Sequence, residues 1–197
     1  MKNSFFYPVV FMTVITAIFI AVLAGFNFAT ADTIAFNQKS QLQQKILYIF
    51  DILPEGGNER DVERVFNDRV IAKQWGELQG FALIDGNEET AYAVPINGPG
   101  LWGSIIGYVG INKDYTEIIG IEFITQSETP GLGGRISEDS YKEQFRGIDI
   151  YGKSGNFIIS SPQPDSNVDA IAGATQTSAA VVKLINEDIE SFFREVE

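Results

Sequence analysis

The strongest constraint on this chain lies at its start: from Asn3 to Ala31 no residue is charged, and Phe5 to Ala24 is almost wholly apolar. About twenty such residues are what a helix needs to cross the hydrocarbon core of a bilayer. A core helix of a soluble domain would show a polar face, and this stretch has none. Ala29-Thr30-Ala31 has the small-residue form of a signal cleavage site, but the apolar run exceeds the roughly 7 to 15 residues of a signal h-region. An uncleaved transmembrane anchor over residues 1–31 is therefore expected, meeting membrane lipid through residues 5–24. Pro8 falls near its start, where a missing amide is tolerated. Lys2 is the only charge ahead of the span, and the positive-inside rule then places the amino terminus in the cytoplasm and the remainder outside it.

The 197 residues leave room for one domain beside the anchor. Beyond residue 31 there are 13 basic against 26 acidic residues and no compact basic run. Such a surface repels phosphate backbones, which excludes nucleic acid as a partner. Histidine and cysteine are both absent. That removes His-containing triads, thiol nucleophiles, the usual zinc sites and cysteine-held iron–sulfur clusters. No metal-ligand spacing stands out and no catalytic residue can be named. Chemistry, if present, must come from oxygen groups, backbone amides or a bound cofactor.

After the anchor, Leu42, Ile46, Ile49 and Phe50 recur at helical spacing until Leu53-Pro54-Glu55-Gly56-Gly57 breaks the pattern. Val62, Val65, Phe66 and Val70 predict a second short helix, so residues 32–76 read as a stalk with connecting helices. From Phe81 the character changes. Phe81–Ile84, Tyr92–Ile96, Ser104–Ile111 and Ile118–Thr125 are β-rich runs separated by Asn, Asp, Gly and Pro turns, which predicts an antiparallel sheet. Glu138–Phe145 predicts a helix, Ile148–Tyr151 and Phe157–Ser160 further strands, and Val181, Leu184, Ile185, Ile189 and Phe192 a final amphipathic helix. The expected class is α+β, with a folded domain over residues 77–197.

Three segments are candidates for chemistry. Asp169 to Ser178 (DAIAGATQTS) runs directly into the last helix, where unpaired amides and the helix dipole favour an anion such as phosphate. Taken alone, capping of that helix by Thr177 or Ser178 explains the hydroxyls. Ser127 to Ile136 (SETPGLGGRI) holds three glycines and a proline after a strand. Its local reading is an unusual turn, although glycines also let amides face a ring or an anion. Gly98 to Gly103 (GPGLWG) reads locally as a hairpin with one buried Trp. Glu122, Glu128 and Asp139 read as surface or loop charges, since no partner that would tune them as acid and base can be named.

The three segments together resemble the FMN-binding domain family. Asp169, Gly173, Ala174 and Thr175 match its flavinylation motif, with Ala172 standing where the family usually has Ser or Thr. The resemblance implies that FMN is joined through its phosphate to Thr175 by a separate, FAD-dependent flavin transferase, with Thr177 as the nearest alternative acceptor. Glu128, Thr129, Gly131, Leu132 and Gly133 match the family's Glu-Thr-Pro-Gly-Leu-Gly loop, which lies against the flavin. Leu101 and Trp102 match a Gly-Leu-Trp loop, similar to that of the NqrC component of the sodium-translocating NADH:quinone oxidoreductase, and would pack near the isoalloxazine. The stretch Gln44-Lys45-Ile46-Leu47 is weakly similar to that component as well.

The same resemblance implies an electron-transfer subunit with covalent FMN, working beside the other subunits of a six-subunit redox-driven ion pump in the bacterial cytoplasmic membrane, its soluble domain periplasmic. The corresponding alternative is the RnfG component of the Rnf complex, a ferredoxin:NAD oxidoreductase. No dinucleotide fingerprint is present, so NADH binding is not expected of this chain. A membrane-tethered binding or scaffold module without flavin is the alternative from another class.

Overall fold

The computed structural model describes residues 6–152 and 156–196. Lys2, on which the expected orientation rests, and Phe5 lie outside them. The chain divides into two compact units, residues 1–41 and 42–197. Helix α1, Phe6–Ile49, is 44 residues long. It is long and apolar enough to cross a membrane, and its most apolar window has no buried residue. Pro8 sits in its first turn, as expected.

The second unit is built on a six-stranded antiparallel sheet in which every strand pairs with its neighbour in sequence. The strands are β1 Val70–Trp75, β2 Leu78–Asp85, β3 Glu88–Pro99, β4 Ser104–Asn112, β5 Glu117–Thr125 and β6 Ile148–Asp149. The α+β class and antiparallel sheet expected from the sequence are borne out. Helix α2, Glu59–Arg69, starts at Asn58, whose side chain accepts the Asp61 amide at 2.9 Å. Val70 is not its last turn, as the spacing predicts, but the first residue of β1. A β-branched residue fits both patterns, and pairing with Leu83 decides it. The remaining helices are α3, Asp139–Lys142, flanked by 3₁₀ turns at Gly133–Ser137 and Glu143–Phe145, and α4, Thr175–Val196. Phe157–Ser160 is not a strand. Only Ser160 pairs there, in a single parallel bridge with Val168.

Period-two alternation sends the strands' side chains into two cores. Tyr92, Val94 and Ile96 of β3 join Ile105, Val109, Ile121 and Phe123 beneath α4, whose Val181, Ile185, Ile189 and Phe192 are buried there. Trp75 and Tyr115 both meet Phe192 edge to face, the Trp75 and Phe192 centroids lying 5.1 Å apart, and Tyr92 packs against both Trp75 and Tyr115. On the opposite face the intervening Ala91 and Ala93 meet Ile46, Leu47, Ile49 and Phe50 from the end of α1, with Val62 of α2. Small residues are needed on that face. A Cβ on Gly120 would lie 2.7 Å from the Ile49 carbonyl oxygen, and one on Gly110 would collide with the Ile49 side chain.

The end of α1 leaves carbonyls that the helix itself cannot satisfy. Arg146 supplies the donors: its guanidinium reaches Tyr48 O at 2.8 Å and Ile49 O at 3.2 Å, and also bonds Ile119 O on β5. A cation at a helix carboxyl end is favoured by the dipole as well. Beside it Glu122 of β5, expected at the surface, is buried and paired with Lys142, while Lys45 stands 3.7 Å from the same carboxylate. The Lys142 ammonium lies 4.2 Å from the centre of the Tyr48 ring. A buried carboxylate needs such partners, and they come from α3 and α1, distant in sequence. Asp139, by contrast, is exposed, as expected.

Arg146→Met is expected to destabilise the chain by about 2–4 kcal/mol, since it strips charge-assisted bonds from partly buried carbonyls. Denaturant unfolding in detergent would read the difference. Asp188 of α4 accepts the Asn97 amide at 2.9 Å, and burial raises its carboxyl above the ordinary 3.8, opposed by that bond and reinforced by Glu187. A raised folded value means that the native state holds the proton more tightly. This group's contribution is therefore most favourable below the unfolded value and is lost as pH rises through the folded one. Asp188→Asn keeps an acceptor for Asn97 without ionising. Its Tm relative to the parent chain is expected to be higher at about pH 7 than at about pH 3.

Candidate functional site

β3 and β4 are joined by Gly100-Leu101-Trp102-Gly103, and β5 ends at the same edge of the sheet, opposite Ile106. The segment after β5 and the start of α4 complete the junction. At its centre is Glu128, only 5% exposed, which corrects the expectation of a loop charge. Its Oε1 accepts the amides of Leu101 at 2.8 Å and Trp102 at 3.0 Å, and its Oε2 accepts the Thr177 hydroxyl at 2.7 Å. One carboxylate thus joins all three sequence motifs. The side chain of Gln126 fixes it in turn, accepting the Glu128 amide at 2.7 Å.

Glycines make this packing possible. A Cβ on Gly100 would stand 2.5 Å from Glu128 Oε1, and one on Gly133 would stand 2.7 Å from Thr177 Oγ1 and 2.8 Å from Glu128 Oε2. Between them Thr129-Pro130-Gly131-Leu132 closes a turn through the Leu132 amide and Thr129 O at 3.1 Å. Pro at the second position and Gly131 at φ +73 in the third meet the demands of a type II turn. Thr129, Gly131 and Leu132 are left exposed at its surface.

The Asp169–Thr175 segment is held in one shape by side chains from three other places. The amides of Asp169, Ala170 and Ile171 donate to Gln144 Oε1 at 2.7 Å, Ser161 Oγ at 2.9 Å and Ser178 Oγ at 3.0 Å. The chain then turns through Gly173 at φ +80, with the Ala174 amide bonded to Ile171 O at 2.9 Å. Leu132 packs on that glycine, 3.3 Å from where its Cβ would be. Tyr141 lies beneath, beside Ser178, and burial raises its hydroxyl above the usual phenol range.

Helix α4 begins at Thr175 itself, which corrects the reading of Thr177 or Ser178 as caps. The first α-helical bond at this end runs from the Ser178 amide to Ala174 O at 3.0 Å. Amides ahead of it have no partner in the helix, as at any helix start. Thr175 is exposed there, whereas Thr177 is 1% exposed with its hydroxyl donated to Glu128. Asp169 is exposed and Ala174 buried. Trp102 is not the buried Trp of a hairpin but 73% exposed, and Leu101 and Leu132 are close to half exposed. Exposed apolar side chains carry meaning where several are brought to one place rather than scattered singly. The junction therefore offers an apolar platform, glycine-lined turns and a hydroxyl at a helix start. Gln126, Gln144 and Ser161 escape sequence reasoning because each acts on backbone and belongs to no local pattern that names its target.

Residues 100–190 match the FMN-binding domain family, a span that includes Leu101, Trp102, the glycine-rich turn and the Thr175 segment. The resemblance carried by the motifs is borne out. Among curated relatives, the NqrC component of the Na(+)-translocating NADH-quinone reductase from Vibrio alginolyticus is 33% identical over 127 residues, covering 61% of this chain and 46% of that protein. Its counterpart from Pasteurella multocida is 32% identical over 49% of this chain and 39% of its own length. The RnfG component of the proton-translocating ferredoxin:NAD(+) oxidoreductase complex of Clostridium ljungdahlii is 32% identical over 58% of this chain and 60% of its own. The chain thus spans less than two thirds of each of these relatives. The crystal structure of NqrC from Shewanella oneidensis superposes with a TM-score of 0.65 at 20% identity, covering 81% of this chain and 98% of that one, and so shares the fold.

Gly133→Ala is expected to cost about 1–3 kcal/mol by overpacking against Thr177 and Glu128. Thermal unfolding would read that loss, and faster amide exchange at Leu101 and Trp102 would locate it at the junction.

Proposed function

We propose that this chain is an electron-transfer subunit of a membrane-bound, ion-translocating oxidoreductase, and that it carries FMN as a phosphoester on Thr175. The observation that carries the reading is the contrast between two threonines two residues apart. Thr175 stands exposed at the start of α4, while Thr177 is buried and bonded to Glu128. In the attachment step the Thr175 oxygen–phosphorus bond forms as the pyrophosphate bond of FAD breaks. AMP leaves, and the hydroxyl proton passes to a base on the flavin transferase.

The residues present fit such a group. The phosphodiester's negative charge would meet the positive end of α4 and its unpaired amides. Gly173 lets the chain turn at φ +80 two residues before the attachment position. Leu101, Trp102 and Leu132 would cover a flat ring, and the Thr129–Leu132 turn presents no bulky side chain between them other than Leu132 itself. Bound FMN supplies one- and two-electron chemistry, while the protein supplies attachment, orientation and electrostatic setting. A tethered cofactor cannot diffuse away, which suits a periplasmic domain separated from the compartment that makes it. The α1 helix, long and apolar enough to span, supports the single-pass anchor, and placing the folded unit on the outer side rests on Lys2 in the sequence.

The NqrC relatives favour an NADH:quinone pump of six subunits, with NADH binding assigned to another subunit. A ferredoxin:NAD complex is the second reading, supported by the 32% identity to the Clostridium ljungdahlii protein over 58% of this chain. Co-expression with a flavin transferase, followed by denaturing electrophoresis, is expected to give a fluorescent band. Thr175→Val should abolish that band with the fold intact. A colourless parent band would reject the covalent assignment, and fluorescence persisting in the Val variant would move it elsewhere.

A further inference from the structure

We propose that Glu128 is the positioning residue of this cradle: its buried carboxylate, without touching the ring, sets the spacing between the Leu101–Trp102 tip and the first turn of α4. The proposal rests on the flavin reading above for its functional consequence, but its structural core concerns the chain alone. The resemblance places Glu128 among the residues lying against the flavin. In the structure both of its oxygens are turned inward, onto Leu101 N, Trp102 N and Thr177 Oγ1, and the side chain is 5% exposed. A carboxylate so engaged is a brace between two walls rather than a wall itself.

The walls have no comparable direct tie among the described hydrogen bonds. Leu101 and Trp102 sit in a four-residue loop whose own closure is the Gly100 amide to Gly103 O at 2.7 Å. That bond shapes the loop but does not aim it. Aim comes from two adjacent amides converging on one oxygen, which fixes the loop's tilt relative to the start of α4. Gly100 and Gly133 leave just the room that the brace requires, since a Cβ on either would meet a Glu128 oxygen at 2.5 or 2.8 Å. No basic side chain is paired with Glu128 among the described salt bridges, so its charge is held by neutral donors alone. A negative charge fixed behind the platform opposes accumulation of negative charge on a ring in front of it. Glu128 therefore sets both where a ring tethered to Thr175 can lie and how readily it accepts electrons.

The test compares Glu128→Ala, Glu128→Gln and Thr177→Val in the full chain, with and without co-expressed transferase. In the flavin-free protein, Glu128→Ala is expected to speed exchange of the Leu101 and Trp102 amides roughly tenfold or more. Glu128→Gln keeps an oxygen for both amides, so protection should return. Thr177→Val removes only the link to α4 and should leave the two amides protected. In the loaded protein all three variants keep flavin on Thr175. Glu128→Gln is expected to move the flavin midpoint potential upward, and Glu128→Ala to shift its absorption bands as well. Unchanged amide protection in Glu128→Ala would overturn the brace, and an unchanged potential in Glu128→Gln would overturn the electrostatic part. If Glu128→Ala fails to fold, Gly133→Ala, whose Cβ would press on the Glu128 carboxylate, decides the brace: faster exchange at Leu101 and Trp102 supports it and unchanged exchange overturns it, while Glu128→Gln decides the electrostatic part. Absence of flavin from the parent chain would reject the functional reading while leaving the exchange result standing.

Discussion

A carboxylate taken out of water must find its hydrogen bonds inside the protein, and at Glu128 that requirement draws together segments that chain connectivity leaves apart. The segment after β5 carries Glu128, and the β3–β4 loop and the beginning of α4 both terminate on its two oxygens. Deleting one partner would expose the full desolvation cost of the others, so the arrangement is cooperative rather than a sum of contacts. The contrast between Thr175 and Thr177 is a by-product of the same requirement. One hydroxyl is consumed by the brace and the other is left at the surface.

The same physics operates at the other polar centre, where Glu122, Lys142 and Lys45 meet beneath Tyr48 and where Arg146 covers the last carbonyls of α1. Lys142 and Arg146 follow the glycine-rich turn by a few residues of helical chain. The short α3 region therefore has two duties. It continues from the turn that shapes the candidate site, and it fastens the last turn of α1 to β5. Removing one partner of a buried ion pair leaves the other charge uncompensated, so these groups depend on one another.

Much of the fold was legible because periodicity is a local property. The four long strands and α4 follow from alternation, helical spacing and turn residues; β4 and β5 fall close to the expected bounds, β2 and β3 extend beyond them at both ends, and β1, Val70–Trp75, lies within the stretch expected to be stalk. Val70 was ambiguous because a β-branched residue satisfies a helix stripe and a strand equally, and only pairing with Leu83 resolves it. Phe157–Ser160 has strand composition but gains only one bridge, since its backbone is satisfied by the Asn186 and Asn167 side chains instead. At the site, the motifs named which segments matter but not how they act. Burial of Glu128, exposure of Trp102 and the Gln144, Ser161 and Ser178 acceptors all depend on which distant segments come together, and no window of sequence contains that.

The two tryptophans sit in opposite surroundings: Trp75 is 8% exposed in the aromatic cluster around Phe192, and Trp102 is 73% exposed at the tip of the β3–β4 loop. Indole emission depends on polarity and lies where flavins absorb. The chain therefore carries two built-in optical gauges. Emission from Trp75 reports whether the core is assembled, and emission from Trp102 reports whether anything lies on the platform beside it. Folding and occupancy can thus be followed as separate signals in one unlabelled molecule.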